Sequence, residues 1–327
     1  GNDAQAIKEA VSAAQKDSGV VFFPPGTYKT DETILVPSGV SLRGASAENT
    51  VIEGIGYDPH ANRRAWFTGR HAPGAPVVRL SDHTAVESLT IRGATSKGRG
   101  GVALIEAVPA ELKFPATAEV TDLAIRRCRL HAQEDMSTGW APYANRAVYV
   151  GPRSQRVRFI SNEVFGGVDF REIRRLDMID NRFHGGNVHA SAYDSLVDAN
   201  FFVDSPTRFL VYPRRHCHIR FNEVHQAHRS SWENAEEIFL VHGGGRKSFG
   251  LVTSASPTTL ADKGQSWKPG FYKDATALII SGRGFGQYRT VADSTADTLT
   301  LESPWRVVPD QTSEYVVGAM HVENDAV

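Results

Sequence analysis

The sequence reads VRFISNEV from Val157 to Val164, and it reads LDMIDNRF from Leu176 to Phe183. Both stretches fit one pattern, apolar-x-apolar-x-x-Asn-x-apolar, with asparagines at positions 162 and 181. Looser copies place Asn200 and Asn222 in the same position, so the asparagines follow one another after 19, 19 and 22 residues. A repeat of this length indicates one small structural unit that is stacked several times.

The apolar residues on each side of the asparagine alternate with period 2, which is typical of short strands joined by tight turns. A helical repeat would show a period of 3.6 residues, and the copies show none. In stacked coils an asparagine amide can bond the equivalent asparagine one coil away, and asparagine tolerates the left-handed backbone of a sharp turn. Separate β-hairpins are the alternative, but their preferred Asn-Gly turns are missing. The pattern predicts a parallel β-helix with an asparagine ladder.

An upstream copy, Leu123-x-Ile125-x-x-Cys128-x-Leu130, has cysteine in the asparagine position. The other cysteine, Cys217, falls four coils later, which at ~4.8 Å per coil is a separation of ~19 Å. A disulfide requires Cα atoms within ~7 Å. Both thiols are therefore predicted to be free, Cys128 in the ladder and Cys217 facing the core.

The N-terminal segment has apolar residues at helical spacing, with Asn2 or Asp3 as a possible N-cap. The strand Val20–Phe23 and the turn Pro24-Pro25-Gly26-Thr27-Tyr28 follow. This segment resembles the opening of many pectate-lyase-like β-helix proteins, and the resemblance spans residues 1–55 and 80–245. It implies an all-β, right-handed parallel β-helix with an N-terminal capping helix. It is a poor guide to substrate, because lyases, hydrolases, epimerases and phage tailspikes share the fold.

The chain is predicted to contain a β-helix over residues 1–245 and a small antiparallel, barrel-like β module over 246–320. Residues 321–327 would be a tail or the start of a further coil. Gly282-Arg-Gly284-Phe-Gly286 lacks the spacing of a dinucleotide-binding loop and is predicted to be a tight turn. No closing cap is recognisable, so missing coils or a homo-oligomer would cover the end of the solenoid.

Composition excludes some partners. The 327 residues carry a formal net charge of −1, which gives no reason to expect nucleic acid. No apolar run approaches the ~18 residues that span a bilayer, so no membrane is expected. The chain shows no signal peptide, while the resemblance implies a secreted or periplasmic protein whose partner is a polysaccharide.

Two pairs of successive copies of the repeat are 34 residues apart instead of about 20, from position 94 to 128 and from 128 to 162. The extra residues predict loops at 95–117 and 131–146. Trp140 and Tyr143 lie in the second loop. These aromatic side chains could stack on a sugar ring, or they could only pack the loop against the body of the protein.

The resemblance implies that the strand before each ladder strand lines a substrate cleft. Alternation directs Tyr149, Asp169 and His189 outward in one column, with Arg171 and Tyr212 in a parallel column. Neighbours in a column would lie ~4.8 Å apart. The predicted substrate-binding residues are Tyr149, Arg153, Arg214, Arg215, Trp140 and Tyr143.

This polar patch suits β-elimination on an acidic glycan, which needs a cation for the uronate carboxylate, a base and an acid. Arg171 and Arg214 could hold the carboxylate, His189 could be the base and Tyr212 the acid. Asp169 could orient His189 or help to bind Ca²⁺; no other cofactor or metal is indicated. The alternative is an ordinary solvated network on the surface of the β-helix.

A glycoside hydrolase on the same fold would need two carboxylates, ~5–5.5 Å or ~6.5–9.5 Å apart. Asp169 is the only acid expected in its column, which favours a polysaccharide lyase or an epimerase. A non-catalytic glycan-binding or adhesin module and a purely structural fragment are the remaining hypotheses.

Overall fold

The repeating segment winds into coils that contribute strands to three parallel sheets, in a computed structural model of the chain. The structure describes residues 1–55, 76–93, 103–107, 119–132, 146–151, 153–215, 217–225, 239–241 and 247–318. Within these residues, one compact unit is built from Gly1–Val211 and His218–Leu240, and a second from Tyr212–Cys217 and Val241–Val322.

Three parallel sheets form the β-helix, and long strands pass from one sheet to the next. Sheet 1 contains β1 (Val20–Phe23), β4 (Ser41–Gly44), β7 (Ala85–Glu87), β10 (Thr121–Arg126), β13 (Gln155–Ile160), the end of β15 (Gly167–Ile179), β17 (Leu196–Asp198) and β19 (His218–Arg220). Sheet 2 contains β2 (Gly26–Thr30), β5 (Thr50–Gly54), β8 (Thr90–Gly93), β11 (Arg129–His131), β14 (Glu163–Phe165), the starts of β16 (Arg182–Tyr193) and β18 (Phe201–Arg215), and β20 (Glu223–His225). Sheet 3 contains β3 (Ile34–Val36), β6 (Val78–Leu80), β9 (Ile105–Ala107), β12 (Arg146–Val150), the start of β15, the ends of β16 and β18, and β21 (Phe239–Val241). This topology is the predicted parallel β-helix, whose crossovers are right-handed as a rule.

Alternation along the strands fills the interior with apolar side chains. Phe159, Phe183 and Phe202 are almost completely buried, and the rings of Phe183 and Phe202 stack with centroids 5.0 Å apart. Each buried side chain of this size contributes about 1.5–3 kcal/mol to the free energy of unfolding. The repeated apolar positions thus form one continuous core along the solenoid.

The asparagine ladder is confirmed. The side-chain Nδ2 of Asn162 donates to Oδ1 of Asn181 at 3.0 Å, and Asn181 donates to Asn200 at 2.9 Å. Asn200 in turn donates to Asn222 at 2.8 Å. The backbone N–H of each of the three donors bonds the same oxygen, and each Nδ2 also reaches a carbonyl of the preceding coil. Every buried amide in this row is therefore satisfied, as buried polar groups must be.

The expectation that asparagine itself adopts the left-handed backbone is wrong. The residue before each ladder asparagine does so: Ser161, Asp180, Ala199 and Phe221 have φ of 53° or 54°. The reason is geometric, because the residue before the asparagine makes the sharp turn, and the asparagine amide then points along the stack. Left-handed backbone costs a non-glycine residue about 1–2 kcal/mol.

Cys128 takes the place of an asparagine at the upper end of the ladder. Its backbone N–H donates to Oδ1 of Asn162 at 3.0 Å, and its Sγ lies 3.5 Å from the carbonyl oxygen of Val86. Burial raises the pKa of this thiol to about 12. Neither cysteine takes part in a disulfide and both are buried, as the spacing predicted.

The capping helix α1 spans Ala4–Gln15 and buries Ile7 and Val11. Asp3 occupies the N-cap position, but it is Asn2 that accepts a hydrogen bond from the backbone N–H of Ala4, at 3.1 Å. No helix in the described part of the chain is long and apolar enough to cross a bilayer.

One predicted loop is partly wrong. Strand β9 lies inside the range 95–117 and pairs in parallel with both β6 and β12. The sequence around Ile105 lacks the ladder asparagine that marked the other coils, so its strand was not recognised.

The second unit is a seven-stranded antiparallel sheet in the order β22-β28-β25-β26-β27-β24-β23. Its strands are β22 (Lys247–Leu251), β23 (Ser254–Ser256), β24 (Thr259–Ala261), β25 (Thr276–Ser281), β26 (Tyr288–Ser294), β27 (Thr298–Leu301) and β28 (Glu314–Gly318). The glycine run is the predicted turn, with Gly282, Gly284 and Gly286 at φ of 75°, 84° and 81°. Inside the unit, buried Asp262 accepts a hydrogen bond from the Tyr315 hydroxyl at 2.8 Å.

Candidate active site

A single row of outward positions crosses sheet 3. Cα pairing aligns Arg79 with Glu106, Glu106 with Tyr149, Tyr149 with Asp169, and Asp169 with His189. Adjacent residues in this row are one coil apart, which is ~4.8 Å. We call these five residues the sheet 3 row.

Asp169 is the centre of the row. Its Oδ1 lies 3.2 Å from Nδ1 of His189, and its Oδ2 lies 3.3 Å from Nη2 of Arg146. Asp169 is 1% exposed, whereas the His189 side chain is 23% exposed. A carboxylate that accepts from Nδ1 fixes the ring and leaves the lone pair of the neutral imidazole on Nε2. The more accessible member of the pair is thus the one that can exchange a proton with a ligand.

Arg146 reaches this row because β12 contains a bulge. Arg146 aligns with Gly167, but Val148 aligns with Val168, so two residues of β12 face one residue of β15. Strict alternation would place Arg146 on the inward side together with Val148. A bulge re-aims side chains, and here it brings the guanidinium to Asp169.

A second buried ion pair lies in the same row. Nη2 of Arg79 is 3.4 Å from Oε2 of Glu106, which is only 3% exposed. The expectation that Asp169 is the only acid in its column is therefore wrong. Glu106 was missed because β9 fell in a predicted loop; its alternation, Ile105-Glu106-Ala107 after Leu104, was the available signal.

Tyr149 lies between the two carboxylates in the row and is 4% exposed. The row thus combines two buried ion pairs, one phenol and one accessible imidazole. When His189 is neutral, the two arginines, Arg79 and Arg146, balance the charges of Glu106 and Asp169. Protonation of His189 gives the site a net charge of +1.

The other predicted site residues are distributed as follows. Arg153 is exposed on the turn after β12, with φ of 68°, and is not part of the row. Arg171 lies on β15 two residues after Asp169, and Tyr212, Arg214 and Arg215 lie on β18, but their side chains fall outside the described part. Trp140 and Tyr143 lie outside the described residues altogether.

The described residues contain no group of three or more histidine, cysteine, aspartate or glutamate side chains arranged to hold a metal ion. The involvement of Ca²⁺ remains a prediction from the sequence.

Comparison with known proteins addresses the fold. A family model described as rhamnogalacturonase A/epimerase, pectate lyase-like, matches residues 1–68. The sheet topology is that of a parallel β-helix, and the family match lies in its N-terminal part. A search of curated proteins found no match.

Several solved structures are similar to this chain. A surface adhesin of Streptococcus pneumoniae is 13% identical, with a TM-score of 0.42 over 74% of this chain and 78% of the adhesin. The A-module of a mannuronan C-5 epimerase from Azotobacter vinelandii is 14% identical, with a TM-score of 0.36 over 69% of each chain. A mannuronic acid specific polysaccharide family 6 lyase from human gut microbiota is 11% identical, with a TM-score of 0.32 over 68% of this chain and 62% of the lyase.

Proposed function

We propose that this chain is a polysaccharide-active enzyme that cleaves a uronate-containing glycan by β-elimination, with His189 as the base. The observation that carries the proposal is the 3.2 Å contact between buried Asp169 and the partly exposed His189. An imidazole oriented in this way presents Nε2 to a ligand as a proton acceptor, and general base catalysis contributes typically 10²- to 10⁴-fold.

The base acts at the carbon next to the uronate carboxylate. Nε2 of His189 takes the proton from this carbon, and the electron pair of the broken C–H bond forms a carbon–carbon double bond. The bond from the neighbouring carbon to the glycosidic oxygen then breaks, and this oxygen takes up a proton. The products are one unsaturated end and one ordinary sugar end.

Tyr149 is one candidate for the acid that supplies this proton, because it neighbours Asp169 in the row. Tyr212, the acid predicted from the sequence, remains a candidate on β18.

The substrate carboxylate needs its own cation. Arg79 and Arg146 already contact Glu106 and Asp169. Arg171 therefore remains our candidate for this role, since it follows Asp169 by two positions on β15. A polymeric substrate cannot cross a membrane, so we place the activity in a secreted or periplasmic protein.

Inverting hydrolysis is the second candidate, because Glu106 and Asp169 lie two coils apart, or about 10 Å between backbones. An inverting pair needs one protonated carboxyl group as the acid. Both carboxylates contact an arginine, which favours their charged forms, so the arrangement fits hydrolysis less well than elimination.

The test is incubation with polygalacturonate, alginate and other acidic polysaccharides, followed by the ultraviolet absorbance of the new double bond. His189→Ala is expected to lose about 10²- to 10⁴-fold of this activity. The matched control is His218→Ala, which removes an exposed histidine from β19 on sheet 1. Reducing ends without the double bond would identify a hydrolase, and binding without either product would identify an adhesin-like module.

A further inference from the structure

Five arginines form an exposed cluster on two neighbouring coils, the same coils that carry Tyr149 and Asp169. Three of them follow β12 and the other two lie on β15, where the chain enters sheet 1. We call this cluster the arginine face; its members are Arg153, Arg156, Arg158, Arg174 and Arg175.

Backbone pairing holds the cluster together. The Cα of Gln155 pairs with that of Arg174, and the Cα of Arg158 pairs with that of Asp177. The two coils are one strand spacing apart, or ~4.8 Å. Residues 153–158 and 172–177 contain five arginines and two acids, Glu172 and Asp177, and Asp122 of the preceding coil contacts Arg156, which gives a local charge of +2 (5 − 3) in a chain of net charge −1.

Most of this charge is not neutralised by ion pairs. Arg156 donates to Asp122 at 2.8 Å, and this contact raises the arginine's already high pKa. Among the described residues, the other four arginines form no salt bridge, although the charge of Arg158 also helps to lower the pKa of Asp122. Solvated guanidinium groups clustered in this way favour binding of a polyanion.

The neighbouring coil adds an aromatic side chain. Tyr193 is the Cα partner of Arg174 and is half-buried. An aromatic ring can pack against the apolar face of a sugar, while arginine binds carboxylates with two parallel hydrogen bonds. Together these groups suit a polymer that carries both rings and carboxylates.

The arginine face lies close to the sheet 3 row along the chain, and this position indicates which polymer it binds. The chain passes from the sheet 3 row to the face within a few residues, from Tyr149 to Arg153 through the turn after β12 and from Asp169 to Arg174 along β15. We propose that the arginine face binds the same polyuronate chain beyond the reacting unit and holds it through its carboxylates. This inference rests on the proposed function for the identity of the glycan.

The test measures binding of polygalacturonate and of alginate by calorimetry in a His189→Ala background, which prevents turnover. The variant Arg158→Ser/Arg174→Ser/Arg175→Ser is expected to bind about 10- to 30-fold more weakly. Each exposed pair of an arginine with a substrate carboxylate contributes about threefold, and the three factors multiply. The control variant Arg182→Ser/Arg283→Ser/Arg306→Ser removes three exposed arginines elsewhere and is expected to bind within twofold of its parent. Thermal unfolding of each variant establishes that it is folded.

A second measurement uses a trisaccharide of the same uronate with active protein. This substrate has few carboxylates beyond the reacting unit, so the arginine variant should lose much less activity on it than on the polymer. Equal binding by both triple variants would overturn the proposal. So would single-stranded DNA that binds the face as tightly as the polyuronates do. If no protein forms a double bond but the arginine variant still loses polyuronate binding, the proposed reaction fails and the arginine face stands.

Discussion

Two buried polar rows run along the same β-helix and differ in composition. The ladder repeats one neutral side chain, from Asn162 to Asn222, and each amide bonds the next. The sheet 3 row has a different residue at every coil and is held by ion pairs of Asp169 and Glu106. Identical neutral groups stabilise the stack, whereas unlike ionisable groups in register are costly to bury and can exchange protons. The ladder therefore stabilises the fold, whereas the sheet 3 row carries the site that we propose.

The largest expected effect comes from removing the central charge of the row. Asp169→Ala leaves the buried guanidinium of Arg146 without this carboxylate, and we expect a loss of about 3–5 kcal/mol in the free energy of unfolding. The double variant Arg146→Met/Asp169→Leu should recover most of that stability but none of the glycan cleavage. Urea unfolding and product absorbance measure the two quantities. A double variant as unstable as the single one would show that the charges are not the cause.

A substitution in the ladder is expected to lower stability without lowering activity. Asn181→Ala removes the acceptor of Asn162 and the donor to the Phe159 carbonyl. Unsatisfied buried groups cost about 1–3 kcal/mol each, so we expect a loss of about 3 kcal/mol. Activity per folded molecule should be unchanged. Asn222→Ala, at the half-buried end of the ladder, is the control and should cost less; equal losses would contradict a role for burial.

The thiol that replaces an asparagine should make stability depend on alkaline pH. The pKa of Cys128 is about 12 in the folded chain, above the ~8.5 of an unfolded thiol. A raised thiol pKa stabilises the fold fully below pH ~8.5, and this contribution is lost as pH rises toward the folded pKa. At pH 10 the loss should be about 2 kcal/mol. Comparing unfolding at pH 7 and pH 10 for the parent and Cys128→Ala isolates this term, and identical pH dependence would refute it.

The smallest expected effect concerns the turn beside the ladder. Ala199 has φ of 53°, so Ala199→Gly relieves backbone strain but adds freedom to the unfolded chain. We expect a net stabilisation of a few tenths to about 1 kcal/mol. The control Ala190→Gly lies at a buried strand position and should destabilise the protein. Thermal unfolding measures both, and destabilisation by Ala199→Gly would contradict the account.

The sequence predicts the features that repeat and misses those that break the repeat. Asn162 and Phe159 recur at fixed spacing, so the ladder and the core could be predicted, and alternation placed Asp169 beside His189. Arg146 could not be placed, because a bulge in β12 reverses its side. Glu106 was hidden because its coil lacks the asparagine and is bounded by long insertions. Site residues on irregular coils therefore require coordinates, since no local pattern states their register.

The ladder also has a polarity. Asn162 donates to Asn181, Asn181 to Asn200 and Asn200 to Asn222, so the amide dipoles point the same way along the solenoid axis. Turning one amide over would set two oxygens against each other on one side and two NH₂ groups on the other. Each of these rungs offers the same oxygen to the coil before it and the same NH₂ to the coil after it. A whole 19-residue unit could therefore be duplicated or deleted between Asn162 and Asn200 without breaking the chain of dipoles, so the β-helix can grow or shrink during evolution in steps of one coil.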